Sequence, residues 1–290
     1  MASNTPTSGT GEDAGKIDFQ LYRYDPSLPG AVAAVTIFAV ATILHFKMIF
    51  QRKSYYFTAF AIGGIFEAVG YVGRAMSHFN KTGLIPFIMQ SLLILLAPAL
   101  FAASIYAILG RLIIALRATH IAPIKASYTT KIFVGGDVLS FFLQMAGGGL
   151  QAKGGLDMFD IGEKIILVGL FIQITFFGVF IVNAAVFHRR LFRQPPLLAN
   201  IPWQRHLFVL YGVSVFILVR NIFRVVEYLQ GNDGYLISNE IFLYIFDMAL
   251  MAGVMVLFLI WYVDDLNPEA WKIDEGVALS EGLSEPIGGR

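Results

Sequence analysis

The sequence predicts an all-α, polytopic membrane protein: a bundle of seven transmembrane helices, N-terminus outside and C-terminus cytosolic. Three observations predict it. Of the 290 residues, 57% are hydrophobic and 14% charged, whereas soluble domains carry about 25% charged residues. That much apolar surface exceeds what one water-soluble core encloses. The apolar residues also gather into seven runs, each of roughly the 20 or more residues an α-helix needs to cross the hydrocarbon. Lastly, positive charge alternates from one connection to the next.

The spans follow in order. Gly30–Phe50 comes after "MASNTPTSGTGEDAGKIDFQ", which is polar and acidic. That order is not the basic-then-apolar order of a cleavable signal peptide, so the first span is expected to direct insertion. Tyr55–Met76 carries Glu67, Tyr71 and Arg74. Leu84–Leu109 holds Gln90 and, in "LLAPALF", a mid-span Pro98. Proline there removes a backbone hydrogen bond and predicts a kink. Tyr128–Leu150 carries Asp137 and Gln144 and runs into "AGGGLQAKGG", suited to a flexible loop or close helix packing. Lys164–Phe187 contains Gln173. Arg205–Leu229 carries Arg220, Arg224 and Glu227, while Ile241–Val263 follows Glu240 and carries Tyr244 and Asp247. No run alternates over ten residues as a barrel strand does.

The first, third and fifth loops, with their flanks, hold eleven Lys and Arg residues, against five on the opposite side. The richer side is expected to be cytosolic. Asn80-Lys81-Thr82 is then a sequon on the outer side, in a loop very short for glycosylation. Residues 1–21 and 266–290 are expected to be disordered tails around a transmembrane domain of 22–265, from their Gly, Ser, Pro and acidic content.

An ionisable group at mid-span costs roughly 2.5–3.5 kcal/mol on insertion scales, so spacing is informative. Glu67, Tyr71 and Arg74 stand at i, i+4, i+7; so do Arg220, Arg224 and Glu227, and so do Glu240, Tyr244 and Asp247. That spacing places each trio on one helix face. Lipid disfavours such a face, so all three are expected to point inward. Under the orientation above they share the middle and outer half of the membrane, with Gln90 and Gln144 at similar depth. The expectation is one outward-facing charged chamber between helices 2, 4, 6 and 7, with Asp137 as a separate inner site. A structural role competes with it: snorkelling near span ends and interhelical salt bridges.

Other chemistries are disfavoured. Without cysteine there is no disulfide or thiol catalysis. His45, His78, His120, His188 and His206 fall at or near span ends without ligand spacing, so no metal is expected. A net charge of +1 gives no attraction to nucleic acid. "GGIFEAVG" lacks the Lys-Ser/Thr of a P-loop. Spans six and seven hold no lysine for retinal, and no Gly-x-Ser-x-Gly or His-Glu-x-x-His element occurs. No cofactor is expected.

"EAVGYVGR", "LAPALFAASIYAILGR", "GGDVLSFFLQMAGGG" and "RNIFRVVEYLQGNDGYLISNEIFLYIFD" together resemble the fungal RTA-like family, whose members are called lipid-translocating exporters. The resemblance extends over roughly 22–265. It implies a seven-helix membrane protein linked to export of sphingoid long-chain bases and to resistance against amphipathic toxins. The family's recurring polar positions match Glu67, Tyr71, Arg74, Asp137, Gln144, Arg220, Arg224, Glu227, Glu240 and Asp247. The leading functional expectation is therefore a translocator of amphipathic lipids, in the plasma membrane with internal membranes as the alternative, and with membrane lipids as its partners. Two alternatives stand beside it. One is a seven-helix receptor or lipid-stress regulator. The other is a membrane enzyme, a cyclase or hydrolase, using Glu67 or Asp247 as acid.

Overall fold

A computed structural model describes residues 25–80, 83–152, 156–193, 202–231 and 234–262. The expected tails, and Lys81-Thr82 of the sequon, lie outside them. The described residues form seven long helices and no strand: α1 (Leu28–Arg52), α2 (Thr58–Phe79), α3 (Leu84–Ala115), α4 (Ala126–Ala152), α5 (Leu156–Arg193), α6 (Trp203–Leu229) and α7 (Glu240–Ile260). All seven are long and apolar enough to cross a membrane. Several outrun their expected limits. α5, at 38 residues, is the longest, about 57 Å at 1.5 Å per residue. Hydropathy marks only the hydrocarbon-facing part of a helix; the charged ends, such as Asp157 and Arg190, continue the same hydrogen-bonded ladder.

Each helix packs on its neighbours in chain order, α7 returns to α1, and α3 crosses the interior to touch α6. Of the seven, α3 is the most enclosed. The bundle turns apolar surface outward as well as inward. On α1, Ala31, Ala34, Phe38, Ala41, His45 and Ile49 form a helical stripe facing inward, while Val32, Val40, Ile43 and Phe50 stay exposed. Such an apolar outer face suits lipid rather than water.

Small residues set the close approaches. A Cβ at Gly63 would stand 3.1 Å from the Ala97 carbonyl, one at Gly70 2.7 Å from Ile94 Cγ1, and one at Gly73 3.0 Å from the Pro86 carbonyl. One glycine face of α2 thus lies almost backbone-to-backbone along α3. Gly147 of α4 and Gly162 of α5 do the same: each missing Cβ would meet the other's carbonyl at 2.5–2.6 Å.

At one end of the bundle, His45, Phe57, Phe60, Phe101, Phe258 and Tyr262 pack ring against ring. His45 is fully buried there, with Nε2 3.1 Å from the Met255 carbonyl. The sequence placed it at a span end; packing between α1, α2 and α7 takes it inside. α1 ends at Lys53, whose left-handed conformation (φ 52°) lets Ser54 N–H reach the Ile49 carbonyl at 3.1 Å.

Candidate functional site

α6 supplies the centre of the polar interior. Arg220 has no exposed surface. Its Nε donates to Asp247 Oδ1 at 3.0 Å and its Nη2 to the Ile94 carbonyl at 3.0 Å. Arg224, one turn on, donates from Nε to the same Oδ1 at 3.1 Å and from Nη2 to Asp247 Oδ2. Arg224 Nη1 reaches Glu227 Oε2 at 2.9 Å. Asp247, 1% exposed, is therefore held by two guanidinium groups. Charges taken this far from water persist only when paired and hydrogen-bonded.

Two backbone irregularities aim these groups. α7 is π-helical over Tyr244–Ala249, around Asp247. Such single-turn widenings recur at functional sites and rotate the side chains that follow them. In α3, Pro98 lacks the N–H that would bond the carbonyl four residues back. That carbonyl is Ile94, and Arg220 takes it instead. α3 thus holds a position in the charged network that the sequence assigned to α4. The missing N–H of Pro98 was the available signal, since it frees one carbonyl, that of Ile94.

A second ion pair stands beside the first. Arg74 Nη2 donates to Glu240 Oε1 at 2.7 Å, and Arg74 Nε to Tyr244 Oη at 3.3 Å, with the guanidinium 5.5 Å from the Tyr244 ring centre. The backbone N–H of Ser27 also donates to Glu240 Oε1 at 2.8 Å. Gly30 lies directly under Tyr244; a Cβ there would meet the phenol at 2.6 Å. Ser27, the N-cap of α1, has no charged side chain and drew no attention in the sequence.

Glu67 lies within the field of Arg220, Arg224 and Asp247. It is fully buried, and neither carboxyl oxygen has a hydrogen-bond partner among the described residues. Tyr71 Oη and Arg220 Nη1 are likewise unmatched. The Tyr71 ring is stacked between Phe38 at 5.6 Å and Tyr244 at 6.3 Å. Gln90, 7% exposed, runs beside the Gly73 gap of α2.

Other expected members stand apart. The Gln144 amide donates to Ser140 Oγ at 3.0 Å and to Gln173 Oε1 at 3.1 Å, and Ser140 Oγ donates to the Gly169 carbonyl. These bonds join α4 to α5, not to α2, α6 or α7. The single expected chamber is thus divided: a charged tract on α2, α3, α6 and α7, and a second tract on α3, α4 and α5. Asp137 belongs to the second, where Tyr106 Oη donates to its Oδ2 at 3.0 Å. The sequence pointed to the charged residues of both tracts but not to Tyr106, Ser140 or Ser27, and helix order alone does not say which neighbour each one meets. Among the described residues, no group of three His, Asp or Glu could hold a metal ion.

Replacing Pro98 with alanine tests the α3 arrangement. The new N–H competes with Arg220 for the Ile94 carbonyl. The expected result is a protein at least as heat-stable as wild type in detergent, with slower activity in liposomes. Unchanged activity would remove the Ile94 carbonyl from the site.

Seven apolar helices enclosing a buried network of arginines and carboxylates define a multi-pass integral membrane protein. The family model for RTA1-like proteins matches residues 60–269. The chain belongs to that family. It is 38% identical over 278 residues to protoporphyrin uptake protein 1 of Saccharomyces cerevisiae, covering 83% of this chain and 91% of that one. It is 34% identical over 292 residues to the protein RTM1 of Saccharomyces cerevisiae, covering 86% and 93%. It is 24% identical over 274 residues to the sphingoid long-chain base transporter RSB1 of the same organism, covering 82% and 72%. No solved structure matches the chain.

Proposed function

We propose that this protein translocates amphipathic lipids and receives the cationic headgroup of a sphingoid-type long-chain base at Glu67. The observation that carries this reading is a charge imbalance. α2, α6 and α7 bring together three arginines (Arg74, Arg220, Arg224) and four carboxylates (Glu67, Glu227, Glu240, Asp247). Glu240 is paired with Arg74, and Asp247 and Glu227 with Arg220 and Arg224. Glu67 is the carboxylate left over. An unpaired carboxylate in hydrocarbon favours a monovalent cation beside it. An ammonium headgroup supplies the charge and hydrogen bonds for both empty oxygens. The arginines act as positioning residues, and the apolar tail follows the lipid-facing surface of the helices. A family relative bears the name of a sphingoid base transporter, which agrees with this substrate class. The loop charges support an N-terminus outside, which sets this tract in the outer half of the membrane.

The test is reconstitution into liposomes with a fluorescent sphingoid base, with a zwitterionic phospholipid and protoporphyrin as controls. Wild type is expected to accelerate transbilayer movement of the base selectively. Glu67→Gln keeps the volume and removes the charge; it is expected to lose at least tenfold in rate. Porphyrin movement without base movement would replace the substrate class with a dianionic one. Saturable binding with no movement would favour the receptor reading.

A further inference from the structure

We propose that Asp137 is a second ammonium-binding site, built by α3, α4 and α5 and separate from the Glu67 tract. Asp137 is 4% exposed. Among the described residues it has no cation, and Tyr106 is its one hydrogen-bond donor. A carboxyl in that setting either takes a proton or takes a positive partner from outside the chain. The surroundings select its chemistry. The Tyr106 ring lies 4.5 Å from Phe180, 5.4 Å from Phe133 and 6.2 Å from Phe177, and all four rings are at most 1% exposed. Phe133 stands one helical turn before Asp137 on α4. Ring faces carry negative potential and attract ammonium groups. A neutral acid gains little from them.

Gln144 supplies an unmatched acceptor elsewhere in this tract. Gln144 Oε1 is buried and has no partner; it lies seven residues along α4, about 10 Å at the helical rise. On α5, Asn183 is 5% exposed and both its amide oxygen and its amide nitrogen lack a partner, so the unmatched atoms of this tract include one donor beside the acceptors. An alkylammonium is the ligand class that meets the carboxylate and the rings together; Gln144 Oε1 lies beyond the reach of the same nitrogen.

Position along α3 gives the site its place in transport. Ile94, which receives Arg220, and Tyr106, which binds Asp137, are twelve residues apart, about 18 Å along the helix. The hydrocarbon is about 30 Å thick. Pro98 lies between the two. Two cation stations so spaced divide the crossing into shorter steps. The Asp137 site stands on its own observations and does not require Glu67 to be a substrate site.

Native mass spectrometry of the full chain with hexadecylamine counts both sites, with hexadecan-1-ol and hexadecyl sulfate as tail and anion controls. Wild type is expected to hold two amines, Asp137→Asn one, Glu67→Gln one, and the double variant none. Two amines on Asp137→Asn overturn the proposal. Two amines on Glu67→Gln instead sink the Glu67 reading and leave this one standing. If Asp137→Asn does not fold, a diazirine-bearing hexadecylamine is applied to wild type. Crosslinks within residues 133–137 and 177–180, displaced by excess amine but not by the alcohol, support the site; crosslinks confined to α2, α6 and α7 refute it.

Discussion

Arg220→Met is expected to destabilise the protein by about 3–5 kcal/mol and to abolish translocation, because it breaks a buried charge network from one side. Arg220 bonds both Asp247 and the Ile94 carbonyl and has no exposed surface. Without it, Asp247 keeps only Arg224 as a cation. The Ile94 carbonyl loses its partner as well, since Pro98 has no N–H to offer. Arg220→Lys keeps the charge but not the planar fork that reaches an acceptor on each side. It is expected to recover part of the stability and less of the activity. The measurements are thermal unfolding in detergent and sphingoid-base movement in liposomes for the three proteins. A methionine variant as stable as wild type would show that the network does not hold the bundle.

Gly147→Ala is expected to cost about 1–3 kcal/mol, the usual range for overpacking a tight contact. The new Cβ would stand 2.5 Å from the Gly162 carbonyl and 3.0 Å from the Ile166 backbone nitrogen. Neither backbone atom rotates away, so α4 and α5 must separate. The Gln144–Gln173 and Ser140–Gly169 bonds span the same helix pair and loosen with it. The neighbouring residue supplies the control. Nothing lies within 4 Å of a Cβ built at Gly148. Gly148→Ala is therefore expected to be neutral, or stabilising by up to about 1 kcal/mol through helix propensity. Comparing the two unfolding midpoints isolates the helix contact from any general intolerance of the glycine run. Equal midpoints would contradict the packing at Gly147.

Much of the candidate site was legible because charge in a span is rare. Each of the three i, i+4, i+7 trios does contribute inward-facing groups, since a helix repeats its face at that spacing and lipid penalises the alternative. Glu227 shows the same logic near a span end: only 7% exposed, it pairs with Arg224 and does not reach out to the interface. Pairing itself was harder to read. Arg74 with Glu240 and Arg220 with Asp247 join residues 166 and 27 positions apart.

By itself the sequence determined the number of helices, their approximate limits, their lipid-facing composition and the inward direction of the charged stripes. Each of these follows from transfer free energy and helical periodicity, which act locally along the chain. Only the tertiary structure decided which stripe meets which. It separated Gln144 from the arginines, brought His45 inside, and gave Arg220 the Ile94 carbonyl that Pro98 frees. It also left Glu67 without a partner. Those outcomes depend on helix neighbours and glycine-set distances. Residues far apart in the chain impose them, and no local rule encodes them.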